Sequence, residues 1–262
     1  MSQSAVNQAT YNAKTTVERY TRLQALFPAE QQIFDAHAQQ FGGRVLDIGI
    51  GAGRTTHTLL PRCREYVGID FSASMVQRAK AKFQSGEFLT MDMRTCPAAL
   101  SGRMFDAILI SFNSIDYLPW EDRNQLLTAL RALLHPCGVL AFSTHILSPA
   151  TVRGFFLPAH LRPGWRNALR NPFLLLLTPL RFVRWIVRAL PNRLRHRHLE
   201  RVFDGYAYLN DPGELYGLIT TYVTVEQQNA ELTARGYRVR RVPAWPDRPS
   251  YFEYFVCRPA EQ

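Results

Sequence analysis

Three glycines that recur at every second position follow a short apolar run, and a turn of this kind could bind a ligand. The stretch is Val45-Leu46-Asp47-Ile48-Gly49-Ile50-Gly51-Ala52-Gly53-Arg54. Glycines there permit positive φ angles and close approach of a ligand, and a helix that begins there offers unpaired N–H groups. The dinucleotide-binding spacing G-x-G-x-x-G is not met, because its third glycine would fall at Arg54. Asp47 stands two residues before the first glycine, where it would attract a cationic group of a ligand without a pyrophosphate.

The glycine stretch resembles the first motif of class I S-adenosylmethionine (SAM)-dependent methyltransferases. SAM carries an ammonium group, which Asp47 would attract directly or through a water. Three later motifs agree with the family in order and spacing: residues 68–72, Asp92 between two methionines, and residues 111–114. The resemblance is strong over residues 40–145 and weak over the two final strands. It implies that the chain binds SAM and releases S-adenosylhomocysteine (SAH).

The resemblance also implies roles for individual residues. Asp70, at the end of the second strand, would bind the ribose hydroxyls, and Phe71 or Met75 would lie against the adenine, although Met75 could equally belong to the core. Asp92 would meet the adenine amino group, and residues 111–114 would lie at the methyl end of the cofactor. The cofactor-binding residues expected on this basis are Tyr20, Asp47, Gly49, Gly51, Gly53, Asp70, Phe71, Met75, Asp92, Met93, Ser111 and Asn113.

Candidate catalytic residues follow the fourth and fifth predicted strands, where ligands bind in doubly wound folds. They are His145, Asp116 and Tyr117. Methyl transfer from a sulfonium chiefly needs the acceptor atom held in line, about 3 Å from the methyl carbon, so orientation supplies most of the rate. A general base is optional, and His145 could be that base or a hydrogen-bonded structural histidine.

The sequence therefore predicts methyl transfer to an oxygen or nitrogen of a small molecule. The alternatives are an RNA methyltransferase and a SAM-binding scaffold without activity. Pro136-Cys137 precedes the fifth strand, whereas the nucleophile pair of cytosine C5 methyltransferases follows the fourth. The Asn/Asp-Pro-Pro-aromatic motif of base amine methyltransferases is absent after the fourth strand. A nucleic-acid partner is not expected.

Apolar runs and turn signals alternate along the chain, which is typical of βαβ units and a parallel sheet. The predicted strands are residues 44–48, 66–69, 88–91, 105–112, 139–143, 237–242 and 252–257. They predict an α/β fold with a doubly wound, mostly parallel seven-strand sheet, which the resemblance also implies. Residues 202–209 and 215–225 flank the turn sequence Asn210-Asp211-Pro212-Gly213 and predict a β-hairpin.

Four segments are expected along the chain. They are a helical N-terminal segment (1–40), a SAM-binding core (41–148), an inserted Arg-rich cap with the hairpin (149–225), and the final helix and strands of the core sheet (226–262). Residues 1–12 are polar and are expected to be frayed. Tyr11 and Tyr20 could close over the cofactor or pack as ordinary aromatic residues.

Basic residues concentrate in one segment. Residues 151–201 carry eleven arginines and one acid, so this segment alone has the net charge of +10 that the whole chain has. Three arginines recur at helical spacing and four apolar residues fall on another face, which predicts a cationic amphipathic helix. These residues are Arg181, Arg184 and Arg188, and Phe182, Trp185, Ile186 and Ala189. The charge favours contact between residues 153–201 and an anionic membrane surface or an acidic substrate; a solvated cap helix is the alternative.

Cysteine usage and the first residues bear on location. The four cysteines form no C-x-x-C pair, and the N-terminus lacks the apolar segment of a secretory signal. These features predict a reduced, cytoplasmic protein, which the arginines could make peripheral to the membrane. His196 and His198 have no cysteine nearby, so no metal is expected.

Overall fold

A mostly parallel β-sheet organises the chain, and its strands are the apolar runs that end at turn signals. The computed structural model describes residues 3–11, 25–149, 173–211, 215–247 and 250–260. Within them the strands are β1 (Arg44–Ile48), β2 (Glu65–Asp70), β3 (Glu87–Thr90), β4 (Phe105–Ile110), β5 (Leu134–Ile146), β6 (Arg201–Val202), β7 (Tyr206–Asn210), β8 (Ile219–Val223), β9 (Tyr237–Pro243) and β10 (Phe252–Pro259).

Helices connect the strands and cover both faces of the sheet. They are α1 (Gln3–Tyr11), α2 (Pro28–Ala36), α3 (Ala38–Phe41), α4 (Thr56–Leu59), α5 (Ala73–Lys82), α6 (Cys96–Ala99), α7 (Trp120–Leu130), α8 (Phe173–His196) and α9 (Val225–Ala234). Alternate residues of a strand point to opposite faces. Leu46 of β1 accordingly packs in one cluster with α7 and α9, while Val45 packs in the other with α2, α4 and α5.

The strand order is β3-β2-β1-β4-β5-β8-β7-β6, and β10 pairs antiparallel with both β5 and β9. The pairs from β3 through β5 are parallel, which confirms the predicted doubly wound fold. The predicted count of seven strands is wrong, because the described residues form one ten-stranded sheet. The hairpin expected in the cap forms as β7 and β8, and β8 extends the sheet by pairing parallel with β5. Every residue of β8 is buried, and buried backbone N–H and C=O groups need hydrogen-bond partners. Pairing with β5 and β7 supplies them.

The N-terminus also differs from the expectation of a frayed segment. Residues Gln3–Tyr11 form α1, although their polarity predicted disorder. The Asn7 side chain holds this helix against the start of β8: its Nδ2 donates to the Ile219 carbonyl at 2.8 Å, and its Oδ1 accepts from the Ile219 N–H at 2.8 Å. These partners are 212 residues apart, so no local pattern indicates them.

Candidate active site

A cavity of about 290 Å³ lies beyond the carboxyl ends of β1, β2 and β4. Seven of the predicted residues line it: Gly49, Gly51, Asp70, Phe71, Asp92, Met93 and Tyr117. Seven others lie outside its lining: Asp47, Gly53, Met75, Ser111, Asn113, Asp116 and His145. Tyr20 lies outside the residues that the structure describes. Asn7 and Tyr11 of α1 also line the cavity, so the N-terminal helix forms part of its wall.

The turn after β1 takes the conformation that its glycines permit. Gly49, Gly51 and Gly53 have φ angles of 76°, 55° and 87°. A Cβ at Gly51 would meet no protein atom within 4 Å, whereas a Cβ at Gly53 would stand 2.4 Å from the Phe83 ring. Gly53 therefore lets the loop pack on the protein, and Gly51 leaves open space at the cavity, where a ligand can approach the backbone.

Two backbone N–H groups hold the carboxylate of Asp70, an acid that lines the cavity. Gly51 N–H donates to its Oδ2 at 2.9 Å, and Ser72 N–H donates to its Oδ1 at 2.8 Å. Each oxygen keeps a lone pair for a further donor. Burial raises the pKa of Asp70 to about 6, although the two backbone hydrogen bonds act in the opposite direction. The carboxylate is thus positioned to accept from ligand hydroxyls.

Asp47 is fully enclosed behind the glycine turn. Its Oδ2 accepts from the Thr55 hydroxyl at 2.6 Å and from the Tyr66 hydroxyl at 2.8 Å. Its Oδ1 is buried and has no hydrogen-bond partner among the described residues. Burial raises the pKa of Asp47 to about 6 against these hydrogen bonds. An unsatisfied carboxylate oxygen next to the turn suits a cationic ligand group.

Aromatic and apolar side chains form part of the cavity wall. The Tyr11 ring packs edge-on against Phe71, with centroids 5.4 Å apart, and against Tyr117, with centroids 5.0 Å apart. Met75 is completely buried against Ala52 and does not reach the cavity. Of the two candidates for the adenine wall, the structure places Phe71 at the cavity and Met75 in the interior.

Asp92 lines the cavity together with its partner Arg94. The Arg94 backbone N–H donates to Asp92 Oδ1 at 2.9 Å, and the guanidinium binds the carboxylate and also reaches Asp122 at 3.1 Å. Burial raises the pKa of Asp92, but the hydrogen bonds from Arg94 outweigh it and hold the pKa below its usual value. Asp92 is therefore an ionised acceptor at neutral pH.

A buried polar cluster that the sequence did not indicate lies beside the glycine turn. Arg54 Nη1 donates to Glu30 Oε2 at 2.6 Å and its Nη2 donates to Ser111 Oγ at 2.6 Å, while the Tyr254 hydroxyl donates to Glu30 Oε1 at 2.7 Å. The Arg54 guanidinium also lies 5.3 Å from the ring centroids of Phe27 and of Phe112. We call Glu30, Arg54, Ser111 and Tyr254 the Glu30 cluster.

The Glu30 cluster joins α2 to the turn after β1, to the end of β4 and to β10. The only local sign of this cluster in the sequence is Glu30 itself, an acid in the first turn of α2. Acids at that position of a helix are commonly exposed. In the sequence, Arg54 stands out only as the residue at which the dinucleotide-binding spacing fails.

The chain takes an unusual conformation directly after β4. Phe112 and Asn113 have φ angles of 55° and 58°, in the left-handed region that non-glycine residues rarely adopt. The Asn113 N–H donates to Ser143 Oγ at 2.8 Å, which holds this turn against β5. Phe112 and Ser114 line the cavity on either side of Asn113. Consecutive residues in this conformation commonly mark functional sites.

His145 and Asp116, two of the predicted catalytic residues, are in direct contact. Asp116 Oδ2 accepts from the His145 backbone N–H at 2.7 Å and lies 2.9 Å from His145 Nδ1. A carboxylate at this distance suits the imidazole tautomer that carries its proton on Nδ1, in which Nε2 is the acceptor. Asn113 Nδ2 lies 3.3 Å from Nε2. The imidazole ring lies between Tyr222 and Tyr251, at centroid distances of 4.8 and 5.8 Å.

A second buried arginine lies behind this histidine. Arg123 is completely buried, donates from Nη2 to Thr144 Oγ1 at 3.1 Å and binds Gln228, and its Nη2 lies 4.0 Å from Asp116 Oδ1. Thr144 Oγ1 in turn donates to Asp116 Oδ1 at 2.6 Å. The Asp116 carboxylate is thereby fixed from both sides. Arg123 lies on α7 and its partners Thr144 and Gln228 lie on β5 and α9, so sequence spacing gave no sign of this contact.

Known proteins resemble this chain both in sequence, over a stretch that includes the glycine turn, and in fold. Residues 45–138 match a family model described as a methyltransferase domain. A putative methyltransferase of Bacillus subtilis, YqeM, is 33% identical over 109 residues, which are 39% of this chain and 42% of that protein. The chain spans about half the length, or less, of the first curated relatives that it matches.

Solved structures share the fold over nearly the whole chain. A structure of DhpI with SAH has a TM-score of 0.58 at 16% identity and covers 99% of this chain and 98% of its own. The 1,6-didemethyltoxoflavin-N1-methyltransferase of Burkholderia thailandensis has a TM-score of 0.59 at 16% identity and covers 98% and 88%. Residues 45–138 are therefore similar to a methyltransferase domain, and the chain shares the fold of SAM-dependent methyltransferases of known structure.

Proposed function

We propose that the chain transfers a methyl group from SAM to an oxygen or nitrogen atom of a small-molecule acceptor and releases SAH. The observation that carries this proposal is the cavity after β1 and β2, where Asp70 offers acceptor oxygens beside the open backbone of Gly51. Phe71 and Asp92, on the wall of the same cavity, would contact the adenine. Asp47, with its unsatisfied Oδ1, would attract the ammonium group.

Bound SAM supplies an electrophilic methyl group, which passes to the acceptor as the carbon–sulfur bond breaks. The protein's own contribution is orientation, because an in-line displacement gains most of its rate from a correctly held acceptor. Phe112, Ser114 and Tyr117 line the cavity after β4 and would bound the acceptor side. The left-handed turn at Phe112 fixes this wall relative to β5.

His145 would accept the proton that an acceptor hydroxyl or amine loses. Asp116 fixes the ring through Nδ1, so Nε2 carries the lone pair. The Asn113 amide approaches Nε2 at 3.3 Å, a long contact that a stronger donor would replace. Neither Asn113 nor His145 lines the cavity, but Asn113 stands between the cavity-lining Phe112 and Ser114, and the proposal requires that Nε2 reach the acceptor from behind this wall. Asp116 is a positioning residue in this scheme.

Support for a small-molecule acceptor comes from proteins with this fold. The Burkholderia thailandensis structure contains 1,6-didemethyltoxoflavin with SAH, and KedS8 from a Streptoalloteichus species is a sugar N-methyltransferase. Because this similarity concerns the fold alone, the kind of acceptor that this chain uses has to be inferred from its own site. The cavity wall after β4 carries aromatic rings, which favours a planar or partly apolar acceptor.

SAH release in the presence of a panel of small phenols, amines and amino sugars tests the proposal. His145→Gln should lower kcat by about 10²–10⁴-fold, the usual contribution of a general base, and should leave SAM affinity unchanged. His135→Gln, an exposed histidine at the other end of β5, is the matched control and should behave as the wild type.

Two results would contradict parts of this proposal. If His145→Gln keeps the wild-type kcat with an acceptor that requires deprotonation, His145 is not the general base. Orientation of the acceptor would then account for catalysis by itself. SAM binding without methylation of any acceptor of the panel would favour the alternative of a SAM-binding scaffold.

A further inference from the structure

Helix α8 presents apolar side chains to solvent. Val183, Val187, Leu190 and Leu194 are 54%, 66%, 48% and 57% exposed. Their spacing of four, three and four residues places them on one face of the helix, because a helix turns by roughly 100° per residue. This apolar stripe extends over roughly 16 Å at 1.5 Å per residue. Isolated exposed aliphatic residues are ordinary, but four in a row mark an interaction surface.

The opposite face of α8 already attaches the helix to the sheet. Ala189 is buried and Trp185 partly buried against a cluster that contains Tyr216 and Tyr222. The Trp185 and Tyr216 rings lie 5.8 Å apart. The apolar stripe is therefore not needed to hold the helix in place, and a simple solvated cap helix would carry polar residues at these positions. The sequence pattern predicted that Trp185 and Ala189 lie on an apolar face. It did not predict the second, exposed apolar face that forms the stripe.

Positive charge lies beside the apolar stripe. Arg184, Arg188 and Arg195 fall on one flank of it, are exposed, and pair with no carboxylate among the residues that the structure describes. The arginine on the other flank, Arg193, is engaged with Glu200 at 3.3 Å. The sequence of α8 contains five arginines and no acidic residue. An apolar stripe with a cationic flank is complementary to a surface that is apolar below and anionic above.

We propose that α8 docks the protein on an anionic phospholipid membrane. The apolar stripe enters the boundary between head groups and acyl chains, and Arg184, Arg188 and Arg195 contact the lipid phosphates. In the described part of the chain no helix is long and apolar enough to cross a membrane, so α8 lies in the plane of the interface. A second copy of the chain fits less well, because packing stripe on stripe would bring two rows of arginines together.

Co-sedimentation with phospholipid vesicles tests the proposal. The wild type should sediment with vesicles of equal parts phosphatidylglycerol and phosphatidylcholine, but not with phosphatidylcholine alone, and binding should fall as salt rises from about 0.05 M to about 0.5 M. Arg184→Gln/Arg188→Gln should weaken binding by about 30-fold, as expected for two arginines at an anionic surface. Val187→Ser/Leu190→Ser should weaken it by at least about tenfold, because the buried apolar area is lost.

A matched control removes the same charge elsewhere. Arg62→Gln/Arg64→Gln replaces two exposed arginines that precede β2, toward the other end of the strand order, and should bind vesicles as the wild type does. All variants should keep wild-type affinity for SAH, which shows that they fold.

Four results would overturn the membrane proposal. They are a wild type that stays in the supernatant at low salt, vesicle binding that survives loss of the stripe, equal weakening by the control pair, and a lipid-free dimer that Val187→Ser/Leu190→Ser dissociates. The dimer would assign the stripe to a second copy of the chain. Analytical ultracentrifugation without lipid detects it.

Discussion

At the scale of single residues, the two acids near the carboxyl ends of β1 and β2 are expected to make the site sensitive to pH. Burial raises the pKa of both Asp47 and Asp70 to about 6, against hydrogen bonds that lower each pKa. A raised pKa means that the ionised acid destabilises the fold. This cost is absent in acid, where the group is protonated in both states, and it develops between about pH 4 and about pH 6. A ligand that donates to the ionised carboxylate compensates the cost.

We expect SAH to bind about tenfold more weakly at pH 5 than at about pH 7.5, because protonation of Asp70 competes with the ribose hydroxyls. Asp70→Asn should weaken binding by about 10–100-fold at neutral pH, the loss expected for charge-assisted hydrogen bonds, and should flatten much of the pH dependence. Calorimetric titration with SAH at the two pH values measures both effects.

Asp92→Asn is the control for this prediction. Arg94 keeps the pKa of Asp92 below its usual value, so Asp92 stays ionised across the same pH range. The variant should retain the wild-type pH dependence even where its affinity is lower. If the pH dependence persists unchanged in Asp70→Asn, Asp70 does not contact the ligand.

At the scale of secondary-structure elements, the Glu30 cluster attaches α2 to the turn that carries the glycines. Glu30 is completely buried and pairs with Arg54, whose side chain is also largely buried. Arg54 lowers the pKa of Glu30 by hydrogen bonding and charge, although burial acts in the opposite direction and is the largest single influence. Helix α2 and the glycine turn therefore share one ionic contact, so a substitution that destabilises one of them should also destabilise the other.

Glu30→Gln should destabilise the fold by about 3–5 kcal/mol, because it leaves the Arg54 guanidinium buried without a counter-charge. Urea unfolding measures the effect as a lower midpoint. Glu87→Gln, which breaks an exposed pair with Arg103, should change the unfolding free energy by less than about 1 kcal/mol.

The double variant Glu30→Gln/Arg54→Met distinguishes charge from packing. It should recover part of the lost stability, since no unpaired charge then remains. Equal destabilisation in the single and double variants would contradict the account and point to packing of the Glu30 side chain alone.

Elements were predictable from the sequence where their signals are local. Residues 44–48 form β1 with the predicted bounds, because an apolar run ends there at a glycine turn. The helix after this turn is short, Thr56–Leu59, since the glycine turn continues through its left-handed residues before the helix begins. The predicted fifth strand, 139–143, is the middle of a longer β5 that starts before Pro136 and pairs with β10.

At the scale of the whole molecule, what the sequence missed is what depends on distant partners. The pairing of β8 with β5, the attachment of α1 through Asn7 and the burial of Arg123 join segments about 80 to more than 200 residues apart. Part of the proposed cofactor side was predictable, because a β-strand and a glycine turn lie within ten consecutive residues; Gly49 and Gly51 line the cavity, whereas Asp47 lies outside its lining. The proposed acceptor side combines residues from β4, β5 and β8, so its geometry emerges only from the fold.

The charge distribution is also a property of the whole molecule. The residues that match a methyltransferase domain, 45–138, and the Arg-rich segment differ in composition, and most of the described part of the latter is a helix with an exposed apolar stripe. Binding of the cofactor and docking on a membrane are therefore expected to be separable by substitution.

Calorimetric titration with SAM tests the central claim, that SAM binds beside the glycine turn, most directly. We predict one SAM per chain in the wild type and loss of binding in Gly51→Leu, whose side chain would fill the open space at the cavity. Gly102→Leu is the matched control, because Gly102 also has a positive φ, of 82°, with no atom within 4 Å of an added Cβ, but lies outside the cavity. It should bind SAM as the wild type does. A wild type that gives no binding heat with SAM, or a folded Gly51→Leu variant that binds SAM with wild-type affinity, would contradict the account.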